Sequence, residues 1–167
     1  MADAPEIPQV KDPFEKMVAI SIAVIAVLLS YVSMKGDNGK GDSIINTTEG
    51  ANKWSQFQSN SLKLHMTEME IDLLSSLPGA GESTKKREEL EAKAKKYQSE
   101  KAKALEEAEE FKKAASKGSE MNDRCDIAGL FLQISIVIAS VAILSSQRLL
   151  WFVSLGLATL GALKFFL

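Results

Sequence analysis

The sequence predicts an all-α membrane protein, with three transmembrane helices plus an extramembrane antiparallel helical hairpin that forms a coiled-coil-like stalk. Three observations carry this. Blocks almost free of charge occupy residues 17–34, 127–146 and 149–167. The 92 residues from Lys35 to Asp126 hold 16 Lys+Arg and 18 Asp+Glu. Within that charged stretch, Pro78-Gly79-Ala80-Gly81 separates two runs of helix-forming residues, and such a cluster stops a helix.

The first apolar block, Met17 to Met34, has 18 residues without a charge and is fenced by Lys16 and Lys35. A hydrocarbon core about 30 Å thick needs ~20 apolar residues at a rise of ~1.5 Å each. Its start is marked by Asp12-Pro13-Phe14-Glu15, with Asp as N-cap, Pro at the first helical position and Glu three residues after the cap. The residues before it carry Asp3, Glu6, Asp12 and Glu15 against Lys11 and Lys16, and Tyr31-Val32-Ser33-Met34-Lys35 is a poor cleavage site. The block therefore reads as a retained anchor rather than a signal peptide. This places a tail at 1–12 and a membrane helix at 13–34.

Residues 35–43, Lys35-Gly36-Asp37-Asn38-Gly39-Lys40-Gly41-Asp42-Ser43, read as a flexible linker. They match neither a phosphate loop, because Gly41 follows Lys40, nor a calcium loop, which needs alternating acids and a closing Glu. The charged hairpin follows at 44–126, turning at 78–82. Its first helix offers Trp54, Phe57, Leu64 and Ile71 on one face and Leu62, Met66, Met69 and Leu73 on another. Two apolar faces exceed the needs of one partner helix and point to further helices, most simply from other copies of the chain.

The second hairpin helix is built of Lys, Glu, Ala, Leu, Gln and Arg, which are strong helix formers. Leu90, Ala94, Tyr97, Lys101, Ala104, Ala108, Phe111, Ala115, Gly118, Asn122 and Cys125 follow steps of four and three without a slip. This is a heptad seam whose alanines imply close approach to a partner. No breaker precedes Gly118, so the helix is expected to run on into the second membrane block at 127–146. Only Gln147 and Arg148 separate that block from the third, at 149–167, which forces an antiparallel pair. Trp151 and Phe152 lie at this turn, where aromatic rings favour the interface.

Each membrane block carries a stripe of small residues at helical spacing: Ala19, Ala23, Ala26 and Ser30, then Ser135, Ala139, Ala142 and Ser146, then Ser154, Ala158 and Ala162. Small faces let membrane helices approach closely. They are expected to pack either within one chain or between chains.

Composition excludes several functions. The net charge is −2, against the basic face that nucleic-acid binding needs. One Cys excludes an internal disulfide and a cysteine zinc cluster, and one His excludes a two-histidine site in a single chain. His65, Glu68 and Asp72 share a helix face and are weak metal candidates, more in keeping with a solvated face. No nucleophile–base spacing, phosphate loop or dinucleotide fingerprint occurs, so neither catalysis nor a cofactor is expected.

The segment Ala51-Asn52-Lys53-Trp54-Ser55-Gln56-Phe57-Gln58-Ser59-Asn60-Ser61 resembles the signature of a bacterial membrane family catalogued as a domain of unknown function, number 4337. Its members carry an anchor helix, a Trp-x-x-aromatic-Gln-x-Lys-Ser-like stretch, a charged helical segment and two closely spaced membrane helices. The chain follows that order but has Asn60 where a basic residue is usual. The resemblance implies an inner-membrane location and no known activity.

The expected function is thus a non-enzymatic, homo-oligomeric scaffold or stalk in the bacterial inner membrane, with the bilayer and copies of itself as partners. A pore lined by Gln133, Ser135 and Ser140 and an accessory subunit of a larger membrane complex are the alternatives. Lys35, Lys40, Lys53, Lys112, Lys113, Lys117, Arg124 and Lys164 lie near the membrane on the hairpin's side, and Lys11, Lys16 and Arg148 on the other. The excess of basic residues predicts a cytoplasmic hairpin.

Overall fold

The computed structural model describes residues 13–76 and 84–166, and all of its regular structure is helical. Helix α1 is Pro13–Ser76, α2 is Thr84–Ser145 and α3 is Arg148–Phe166. Each contains a stretch long and apolar enough to cross a membrane. Proline opens α1 and Glu15 lies in its first turn, where a carboxylate complements the helix dipole. The N-cap assigned to Asp12 and the turn assigned to 78–82 lie outside the described residues.

The expected linker at 35–43 is instead part of α1, which is helical for 64 residues without interruption. Glycine weakens a helix interior by about 0.5–1 kcal/mol relative to alanine, so three glycines in six residues are a poor local signal for helix. Packing overrides it. Gly36 and Gly39 are buried, and a Cβ built on Gly36 would stand 2.9 Å from the Cβ of Cys125. Glycine is there because α2 approaches too closely for a side chain. Just beyond, Asn46 Nδ2, Thr47 Oγ1 and Thr48 Oγ1 donate to the carbonyls of Asp42, Ser43 and Ile44 at 2.7, 2.7 and 2.9 Å, so these polar side chains return to the helix's own backbone.

The chain divides into two compact units. The first holds Met1–Lys40 and Ser119–Leu167. Its core has two clusters, one around Ile25, Val32, Cys125, Ala128, Leu132 and Ala158, the other around Phe14, Val18 and Ala139 with Trp151 packed on them. Helix α2 ends at Ser145 and α3 begins at Arg148, so the expected tight connection is present. The second unit is Gly41–Gly118. Within it Lys53 pairs with Glu107, Lys63 lies over the ring of Tyr97 and Glu70 approaches Lys86. Partners on α2 move backward as those on α1 move forward, so the two stretches run in opposite directions.

Candidate functional site

Among the described residues, the features most open to other molecules are exposed helix faces. In the first unit the small-residue stripes of α2 and α3 meet. Ser135, Ala139 and Ala142 are fully buried, as is Ser154, and Ala158 is nearly so. The Ser135 hydroxyl donates to the carbonyl oxygen of Ser154 at 2.7 Å and lies 3.3 Å from its hydroxyl. Gly161 completes the contact, because an added Cβ would lie 3.0 Å from both the Ala128 carbonyl oxygen and the Phe131 Cβ. Ala162 is half-buried.

Ser146 and the α1 stripe sit elsewhere. Ser146 is exposed and adopts φ 53°, in the left-handed region. Its amide donates to the Ile143 carbonyl at 3.3 Å, so it closes α2 as a cap instead of packing. On α1, Ala19, Ala23 and Ser30 are exposed and Ala26 is half-buried. The face that α1 turns inward is Phe14, Val18, Ile25 and Val32, about a third of a turn away. Ala19, Ala23 and Ser30 of the α1 stripe are therefore left outside the packing of this unit.

Aromatic groups close one end of the first unit. Phe14 and Trp151 meet edge-on with ring centroids 6.0 Å apart, Trp151 Nε1 donates to Ser21 Oγ at 3.3 Å, and Arg148 lies over the Phe14 ring at 5.9 Å. Of the three residues proposed to line a pore, Ser135 is spent inside the helix packing. Gln133 and Ser140 are exposed, and the Ser140 hydroxyl donates to its own helix at the Ile136 carbonyl.

In the second unit, α2 buries Leu90, Ala104, Ala108 and Ala115, with Ala94, Tyr97, Lys101 and Phe111 half-buried. Facing them, α1 presents Gly50, Lys53, Phe57, Asn60, Leu64, Thr67 and Ile71, all at least half-buried. These α1 positions also alternate steps of three and four, a seam the sequence reading missed because glycine, lysine and asparagine sit in it. A Cβ on Gly50 would lie 3.4 Å from that of Phe111. Of the face expected to pack, Phe57, Leu64 and Ile71 point inward. Trp54 follows the seam position Lys53, is 48% exposed, and stacks on Phe57 at 5.0 Å between centroids.

Electrostatics in this unit centre on Glu107. Lys53 Nζ lies 2.6 Å from its carboxylate and Lys103 Nζ 3.9 Å. The hydrogen bond from Lys53 holds the carboxyl below the usual carboxylate range. Lys101 and Lys63 lie over the rings of Phe57 and Tyr97, 5.4 and 5.9 Å from the centroids; such contacts let long cationic chains cover aromatic faces while their charge stays wet.

His65, Glu68 and Asp72 are exposed. Among the described residues no three His, Cys, Asp or Glu side chains gather in a way that could hold a metal ion. The second face of α1 is also outside: Leu62, Met66, Met69 and Leu73 are 59–62% exposed.

One family model, described as a domain of unknown function (DUF4337), matches residues 14–167. No curated protein and no solved structure matches the chain.

Proposed function

The chain belongs to the DUF4337 family, and from that premise and the packing above we propose that it is a non-enzymatic, homo-oligomeric membrane scaffold. The first unit crosses the bilayer with three helices. The second is an antiparallel, coiled-coil-like helical hairpin on the cytoplasmic side of a bacterial inner membrane.

The observation that carries the membrane assignment is the apolar surface that the spans of the first unit leave outside. Ile20 is 65% exposed, Val27 71% and Leu144 87%. Inside, apolar Val18, Val32 and Leu132 are buried together with the small and polar residues Ser135, Ser154, Ala139 and Ala142. Contiguous apolar surface of this kind marks contact with lipid or another protein, and small residues with interhelical hydroxyl bonds are how helices associate inside lipid. Self-association is supported by faces that the single chain leaves uncovered, namely the small stripe of α1 in the first unit and the Leu-Met face in the second. The side assignment follows from the excess of Lys and Arg flanking the spans on the hairpin's side.

The particle mass in detergent tests the reading. A discrete oligomer is expected, and a monodisperse monomer at all concentrations would defeat it. Protease added to intact spheroplasts tests orientation: residues 85–117 should survive, and their digestion from outside would reverse the assignment.

A further inference from the structure

Within the second unit α1 carries more than the seam it turns to α2. Starting at Leu73 and stepping back by alternating four and three, the outer face reads Leu73, Met69, Met66 and Leu62, then passes through Ser, Ser and Asn52, and reaches Ile45 by way of Thr48. Every one of these positions is exposed, and the five large apolar ones are 59–62% exposed. None is charged, although seven Asp, Glu and Lys residues lie on the α1 stretch of this unit. The only other large apolar side chains exposed on that stretch are Ile44 and Trp54. A helix packed against one partner needs one such seam, and a second one on the opposite side is the pattern of a helix with two partners.

We infer that this outer seam is the interface between copies of the chain, and that two copies pair here through parallel, in-register α1 helices. The inference rests on the oligomeric membrane reading above and gives it an interface. Three features select a second copy as the occupant. Copies that cross one bilayer in the same sense present α1 in parallel. In the register where Leu62 and Met69 occupy the d positions, Asn52 falls at an a position. A buried Asn there is satisfied by the same Asn of a parallel partner and fixes register at a cost in stability. The flanking polar groups agree, since the same register sets the imidazole of His65 in one copy toward the Glu70 carboxylate of the other, a donor-acceptor pair in the g-to-e′ relation that guides partner choice. Ser55 and Ser59, the seam positions between Asn52 and Leu62, keep the helices close without adding charge.

Disulfide cross-linking of the full chain in liposomes tests this. Met69→Cys and Leu62→Cys are introduced singly into the natural chain, whose own Cys125 is buried and sets the baseline. Ser99→Cys and Glu106→Cys, on the exposed side of α2, serve as controls. Under mild oxidation the two seam cysteines should give covalent dimers at least tenfold faster than either control. Adding Met66→Glu and Leu73→Glu should suppress the Met69→Cys cross-link at least tenfold while helicity by circular dichroism is retained. An oligomeric particle whose seam cysteines cross-link no faster than the controls overturns this interface and leaves the oligomeric reading standing. A monomeric particle overturns both. Preferential cross-linking of a Leu62→Cys chain to a Leu73→Cys chain, over either to itself, shows antiparallel pairing and overturns the parallel register. In intact cells, capture of a different protein by Met69→Cys in place of a second copy overturns the assignment of the occupant.

Discussion

Substituting alanine for glycine at two positions of α1 separates helix propensity from close packing. Gly36 and Gly41 both lie inside α1, so each substitution gains about 0.5–1 kcal/mol from reduced backbone freedom. At Gly41 nothing lies within 4 Å of an added Cβ, and that gain stands in full. At Gly36 the new Cβ would sit 2.9 Å from the Cβ of Cys125, with Asn122 Oδ1 at 3.7 Å and Cys125 Sγ at 3.8 Å. Carbon pairs prefer about 3.5–4.0 Å, so α1 and α2 must part locally by roughly 0.6 Å or more. Overpacking of this size costs about 1–3 kcal/mol. Gly41→Ala is therefore expected to stabilise the protein, and Gly36→Ala to be less stable than Gly41→Ala by about 1–3 kcal/mol. The opposing atom is a Cβ fixed to the backbone, not the sulfur. Cys125→Ala leaves the clash in place, and Cys125→Gly relieves it. SDS-driven unfolding in mixed micelles, followed by far-ultraviolet circular dichroism, measures each variant and the Gly36→Ala/Cys125→Gly cycle. The reasoning is refuted if Gly36→Ala is as stable as Gly41→Ala, or if Cys125→Ala rescues it as well as Cys125→Gly does.

Three further perturbations have defined outcomes. Glu107 has its carboxyl pKa lowered chiefly by the hydrogen bond from Lys53. Its stabilising contribution is therefore complete above the ordinary carboxylate range and is lost as pH falls through and below that range; the midpoint of thermal unfolding of Glu107→Gln should lack this acid-side decline, and an unchanged pH profile would contradict the pairing. Ser135→Ala removes the bond to the Ser154 carbonyl and should cost about 0.6 kcal/mol, with about 1.7 as the upper bound for hydroxyl bonds between membrane helices; a stabilised variant in the same SDS titration would show that this bond contributes nothing. Ser146→Gly relieves a left-handed residue at φ 53° and should stabilise the end of α2 by roughly 0.5–1 kcal/mol, visible as slower amide exchange there; faster exchange would count against the cap.

Sequence alone determined the features that depend on local chemistry: three apolar stretches of spanning length, helix formers in between, and the heptad order of Leu90 to Ala115. Each is a periodic pattern within one segment, and each reappears as an unbroken helix or a buried stripe. What only the tertiary structure decided is where pattern and partner disagree. Residues 35–43 carry the composition of a loop, yet they are helical, and the close approach of Cys125 accounts for the glycine at position 36. The inward seam of α1 in the second unit was illegible because Gly50, Lys53 and Asn60 carry no apolar signal, and their place in it depends on Phe111, Glu107 and the rest of the opposing helix. The same holds for the small residues. Ser135 and Ser154 are buried against each other while Ala19 and Ala23 face outward, although spacing made the stripes equivalent. Periodicity shows that a helix has a face, but which face is covered depends on the shape of its neighbour.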